Sequence, residues 1–202
     1  MIRAAPMLAL VGCLAKPGFE CDLAPGLLDL GGHIGSNGGV PQDSVTCGGG
    51  FAVGLTVALT ADRDGGHGNE YIVAKVAMLC APIAQRDDAA VTGDATTQLV
   101  AQGGAMIQGD QTASCASGHA MVGVAANLVT VDGLFNAVSI DCARITPRGL
   151  ATPEVIAVPD TGTATANAHA LCGAGEVIIE MRGWTGNEVD QLELSCAAPS
   201  CI

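Results

Sequence analysis

Three stretches of the chain share one arrangement of apolar and polar positions. Counting back from Cys80, Cys142 and Cys196, the fourth and second positions are Val76 and Met78, Val138 and Ile140, and Leu192 and Leu194, with Ala77, Ser139 and Glu193 between them. Such alternation predicts a β-strand with one buried face and one small or polar face. The seventh position back is also apolar, as Val73, Phe135 and Val189, so the register agrees between stretches. Each stretch opens on another cysteine (Cys47, Cys115, Cys172), then a glycine (Gly49, Gly118, Gly175) and an apolar run over 51–55, 120–124 or 177–179. Gly54 answers Gly123 if the first repeat is one residue shorter, and Glu180 replaces that glycine in the third. Loops rich in Gly, Asp and Asn over 61–70, 127–133 and 183–187 supply turn chemistry between the two strands of each unit.

The connecting stretches 33–45, 86–114 and 144–170 are rich in Gly, Thr, Ala and Pro. Within them 97–100 and 154–158 each predict a further short strand, giving three or four strands per unit. No segment shows a 3.6-residue period with caps at both ends, although 24–30 suggests a brief helical turn. The fold class is therefore all-β. A unit of two to four strands cannot bury its apolar face alone, so the three units pack around a common axis, as a prism or a small propeller-like barrel.

Composition narrows the partners. The 202 residues include one tryptophan, one tyrosine and three phenylalanines, so the core is built mainly from aliphatic side chains, Ala and Met. The net charge is −12 with only eight Lys and Arg, and no basic cluster could neutralise successive phosphates, which argues against nucleic acid. Nine cysteines without a CxxC pair argue for disulfides in an oxidising compartment over structural zinc. The matching places of the cysteines pair Cys47 with Cys80, Cys115 with Cys142 and Cys172 with Cys196. Eight cysteines nevertheless allow about 105 connectivities.

The odd ninth is Cys13. Met1-Ile2-Arg3, a short apolar run and Leu10-Val11-Gly12-Cys13 resemble a bacterial lipobox, which is cut before a cysteine that then carries lipid. An ordinary signal peptide and an uncut terminus are the alternatives. The apolar run is too short to span a bilayer, which takes about 20 residues. On the lipobox resemblance, 1–12 is a signal peptide, 13–46 an anchor segment and linker, and 47–202 the domain with repeats 47–80, 115–142 and 172–196. Cys21 then pairs with Cys201. The protein is expected to be exported as an outer-membrane or cell-surface lipoprotein, alternatively periplasmic or secreted, meeting the membrane through its lipid alone.

The Cys-x-x-Gly start, the apolar strand, the Gly-Trp-Thr-Gly turn and the Val-Asp-x-Leu-x-Leu-x-Cys close of 172–196 resemble the repeated unit of vitelline membrane outer layer protein I and its bacterial relatives. That resemblance implies a pseudo-threefold β-prism of three antiparallel, disulfide-stabilised sheets, similar to jacalin-type lectins, with a glycan-binding role. It implies no catalytic residues.

Candidate chemistry is sparse. The loop 62–70 gathers Asp62, Asp64, Asn69 and Glu70, the oxygen-rich kind that calcium accepts, though without EF-hand order; a solvated hairpin loop is the plainer explanation. No other cofactor is indicated. Trp184, between Gly183 and Gly186, could stack on a sugar or pack at a strand end, and Tyr71 adds a ring beside the acidic loop. There is no Gly-x-Ser-x-Gly elbow, and Gly31-Gly32-His33-Ile34-Gly35 is better explained by turns than by a dinucleotide fold. The expected function is that of a surface binding module for glycans or another surface partner, not an enzyme. A structural envelope protein without a small ligand and an envelope hydrolase are the alternatives.

Overall fold

The computed structural model describes residues 19–23, 29–36, 38–61, 71–86, 89–105, 107–129, 134–146, 148–162 and 165–201. The three repeats form three long antiparallel hairpins, β5 (Phe51–Ala61) with β6 (Tyr71–Ala81), β11 (His119–Leu128) with β12 (Phe135–Thr146), and β16 (Val177–Thr185) with β17 (Val189–Ala197). The connecting stretches flank them. β9 (Thr96–Gln102) pairs with β6, and β10 (Gln111–Ser114) with β5. In the second sheet β14 (Glu154–Ala157) and β13 (Gly149–Leu150) pair with β12, and β15 (Ala168–Leu171) with β11. The third sheet takes its flanks from the other end of the chain, where β2 (Asp29–Gly35) pairs with β17 and both β3 (Val40–Pro41) and β4 (Val45–Thr46) pair with β16. A small fourth sheet runs β18 (Pro199–Cys201), β1 (Phe19–Leu23), β7 (Ile83–Arg86), β8 (Ala89–Thr92). All described elements are strands, and the fold is a pseudo-threefold β-prism.

Two expectations change. Residues 29–46 are not a linker, because three strands of the third sheet come from them, and the domain therefore begins well before 47. Asp29 and Leu30 open β2 and are not part of a helical turn, while 24–28 lie outside the described residues. The glycines at 31–35 also lie in β2, where they permit close approach more than a turn. A Cβ on Gly31 would sit 2.5 Å from the Cys196 sulfur.

The three first strands β5, β11 and β16 touch one another around the axis. The alternating positions read from sequence, Val76 and Met78, Val138 and Ile140, Leu192 and Leu194, are all in one central core together with Val73, Phe135 and Val189. The disulfides Cys47–Cys80, Cys115–Cys142 and Cys172–Cys196 are formed.

The repeat extends to single residues. The pairing register slips between Ala52 and Gly54, between Met121 and Gly123, and between Ile178 and Glu180, in each case just beyond the residue opposite the closing cysteine. Each bulge inserts one residue and turns it to the other face. Ala52, Met121 and Ile178 therefore enter the central core, whereas the extra residues Val53, Val122 and Ile179 enter a second apolar cluster with Phe51, Ala120 and Val177.

The bulges also close the ring. The amide of Cys115 donates to the carbonyl of Val53 at 2.8 Å, that of Cys172 to Val122 at 2.9 Å, and that of Cys47 to Ile179 at 2.9 Å. Each unit thus hands its opening cysteine to the unit before it, and the first to the third. Gly49, Gly118 and Gly175 in the cysteine turns have φ of 94, 76 and 85°, a region that L side chains enter at a cost. Around Gly175 there is open space, so the backbone alone decides what a substitution does there. Gly175→Ala is expected to lower stability by about 1 kcal/mol, a fall in Tm of roughly 2–4 °C in a calorimetric scan.

Candidate functional site

The second strand of each hairpin leaves its turn with a further irregularity, and there the three units differ. Six positions before the closing cysteine stand Ala74, Asn136 and Asp190. Ala74 is buried and apolar, and Asn136 accepts a hydrogen bond from the Asn127 side-chain amide at 3.1 Å. Asp190 falls where the pairing skips from Thr185–Val189 to Trp184–Gln191, so it is the extra residue of a bulge beside the turn 186–188.

Glycines from two sides surround it. At the end of β2 and in the segment before β3, a Cβ on Gly35 would collide with the Asp190 carbonyl, one on Gly38 would lie 3.2 Å from Oδ1, and one on Gly39 would collide with Oδ2. Gly35 and Gly39 adopt φ of 100 and 73°, so conformation and space both require glycine. The Ser36 amide donates to the Asp190 carbonyl at 3.0 Å. Farther along, the Gln42 amide donates to the Gly183 carbonyl at 2.8 Å, and its side-chain amide donates to the Thr185 hydroxyl at 2.9 Å.

On the other side the turn is held by the segment after β9. The amides of Gly104 and Ala105 donate to the carbonyls of Gly186 and Asn187 at 3.3 and 2.9 Å. The tip of the third hairpin is thus gripped from both flanks, which holds its side chains in place before any ligand arrives.

The carboxyl group at the centre is not satisfied by this frame. Oδ2 of Asp190 is buried and finds no hydrogen-bond partner among the described residues. Burial pushes the carboxyl above its ordinary range, and the Gly186 backbone amide partly offsets that. A buried carboxylate oxygen without a donor costs stability, and among the described residues the fold bears that cost at this one place. Its chemistry as an acceptor with two oxygens suits a ligand rich in hydroxyl donors.

Trp184 does not sit in a turn. It belongs to β16, paired with Gln191 and with Pro41 of β3, half-buried, with the Arg182 guanidinium 5.8 Å from its ring centroid. It therefore lies at the same end of the third hairpin as Asp190. Tyr71 opens β6 and is 47% exposed, on the first sheet and apart from Trp184 in the pairing. Asp62, Asp64, Asn69, Glu70 and Cys13 lie outside the described residues, and no group of three or more potential metal ligands forms among the described ones. Cys21 and Cys201 are register partners across β1 and β18.

Asp190 was not singled out from sequence. The signal is one place away, since Val189 aligns with Val73 and Phe135, and the next column contains one carboxylate against Ala and Asn.

The fold is a β-prism of the kind found in jacalin-related lectins. Among solved structures, Calystegia sepium agglutinin superposes with a TM-score of 0.50 at 15% identity, over 88% of this chain and 99% of the agglutinin. Calsepa lectin, solved in complex with a bisected glycan, gives 0.51 at 16%, over 84% and 97%. At these identities the likeness is one of fold. No family model matches the chain, and no curated protein matches it.

Proposed function

We propose that the protein is a lectin-like glycan-binding module whose principal site is the tip of the third hairpin, with Asp190 as the acceptor of sugar hydroxyls. The observation that carries this reading is the buried, unpartnered Oδ2 of Asp190 inside a wall made of glycines. Neighbouring hydroxyls on a pyranose can donate to this carboxylate, and Gly35, Gly38 and Gly39 put no side chain beside it. Trp184 offers an aromatic face beside the site, shared with Arg182. The β-prism likeness to Calystegia sepium agglutinin and Calsepa lectin supports the reading at the level of fold. The protein acts in this view by binding, not by catalysis.

A glycan array with the wild type, Asp190→Asn and Trp184→Ala tests it. Binding by the wild type that Asp190→Asn abolishes and Trp184→Ala weakens is the expected result. No binding by the wild type would favour a structural envelope protein held rigid by its disulfides.

The finer reading is export with a lipid on Cys13, kinship with vitelline membrane outer layer protein I, and a cell-surface or outer-membrane location. It rests on the residues at the amino terminus and in the third repeat. A fourth disulfide, Cys21–Cys201, belongs to it: antiparallel register partners lie roughly 4.5–5.5 Å apart at Cα, within the span a disulfide bridges. It would hold the domain a few residues from the lipid. Intact mass and a non-reduced peptide map of protein from a bacterial host check both, with acyl mass on Cys13 and a peptide joining Cys21 to Cys201 expected. Unmodified Cys13 removes the anchor, and free thiols at 21 and 201 remove the clasp.

A further inference from the structure

We propose that the outer face of the second sheet is a separate site for a small ligand bearing a protonated primary amine, of which an amino sugar such as glucosamine is the class that fits. The site is on a different sheet from Asp190 and stands whether or not that tip binds glycan.

The face contains a groove of about 560 Å³, within the size range of about 300–1,000 Å³ typical of small-molecule sites. Strand register explains its shape. His169, Ala125, Ser139 and Ala157 form one row across β15, β11, β12 and β14, and Leu171, Gly123, Asp141 and Val155 form the next. The first row has short side chains in its middle, which opens the depression.

In the second row Gly123 has none at all. A Cβ there would collide with the Leu171 side chain from β15 and lie 2.7 Å from Oδ2 of Asp141, so the carboxylate and the leucine meet over the glycine. The fold does not demand an acid at this place, since Leu79 fills the equivalent space over Gly54 in the first sheet. The lip near Gly162 is fixed, because Ala137, held at a φ of 47°, donates to the Thr161 carbonyl at 2.7 Å and the Val138 amide donates to the Thr161 hydroxyl at 3.0 Å.

Asp141 is only 9% exposed, and burial pushes its carboxyl above the ordinary range while His169 offsets part of the shift. No lysine or arginine lines the groove among the described residues. A carboxylate stripped of water with only the His169 imidazole to offset its charge gains further from a ligand that brings a full cation, and a charged hydrogen bond is roughly twice as strong as a neutral one. The net charge of −12 draws cations to the surface. Two titratable side chains are too few for a metal cage, whereas an ammonium needs one carboxylate, and the C–H face of a sugar ring can rest on Ala125 and Ala157.

Amide-shift titrations with glucosamine, N-acetylglucosamine and glucose test the site, using the wild type, Asp141→Asn, Asp190→Asn and Ala157→Phe, the last filling the groove from an exposed strand position. Glucosamine is expected to shift amides around Ala125, Ser139 and Gly162, at least 10-fold more weakly in Asp141→Asn and Ala157→Phe and unchanged in Asp190→Asn. Glucose and the N-acetyl sugar should leave these amides still. Equal binding of the N-acetyl sugar, wild-type affinity in Asp141→Asn or in Ala157→Phe, or no response to glucosamine overturns the proposal. Loss of binding in Asp190→Asn would assign the response to the tip.

Discussion

Asp190→Asn is expected to lower glycan affinity about 100-fold while leaving the Tm equal to or above that of the wild type. Two hydrogen bonds from sugar hydroxyls to a charged acceptor, each at the low end of about 1.5–3 kcal/mol, account for a loss of that size. Stability moves the other way because the carboxyl is held above its ordinary range by burial. Such a group binds its proton more tightly folded than unfolded. Its charged form therefore weakens the fold at neutral pH, and that penalty fades as pH falls through the folded pKa. The Tm advantage of the asparagine variant should be largest near neutrality and shrink on acidification. Glycan binding by the wild type should fade over the same interval, as the acceptor is protonated. Calorimetric scans and titrations at several pH values check both. A variant that loses stability along with binding would make Asp190 a structural residue.

Reduction of the disulfides is expected to unfold the domain at 37 °C. The bonds close sequence separations of 33, 27 and 24 residues. On the chain-entropy estimate each contributes about 3.5 kcal/mol. The three loops do not overlap in sequence, so their contributions add to first order, and roughly 10 kcal/mol is a large part of the 5–15 kcal/mol by which domains are stable. Replacing Cys172 and Cys196 together by alanine should lower the Tm by about 7–14 °C. Circular dichroism melts with and without reductant measure this. A reduced protein that melts within a few degrees of the oxidised one would show that the apolar core and the ring of bulge hydrogen bonds suffice.

The hairpins were legible because two local signals coincide in them, an alternating apolar face and a cysteine at each end. The flanking strands were less so. β9 and β14 were visible as short strand-like runs, but β3, β4, β10 and β15 are two to four residues long and become strands only by pairing with a hairpin already in place. That the third sheet borrows β2 to β4 from the start of the domain is a consequence of closing a ring, and no local pattern states it. The bulges at Val53, Val122 and Ile179 recur at the same place in all three units and so leave no difference between the repeats that would reveal them. Asp190 became a site only when Gly35, Gly38 and Gly39 arrived against it from about 150 positions upstream. Trp184, conspicuous in the sequence as the lone tryptophan near glycines, belongs to the same hairpin end, although on a strand and under Arg182.

The central claim is that glycan binds at the tip of the third hairpin. Backbone amide shift mapping of the wild-type protein, titrated with the glycan giving the strongest array signal, tests it most directly. The expected result is saturable shifts confined to 35–39 and 184–190, absent in Asp190→Asn. Saturable shifts centred on the first or second hairpin, with 35–39 and 184–190 unmoved, would contradict it.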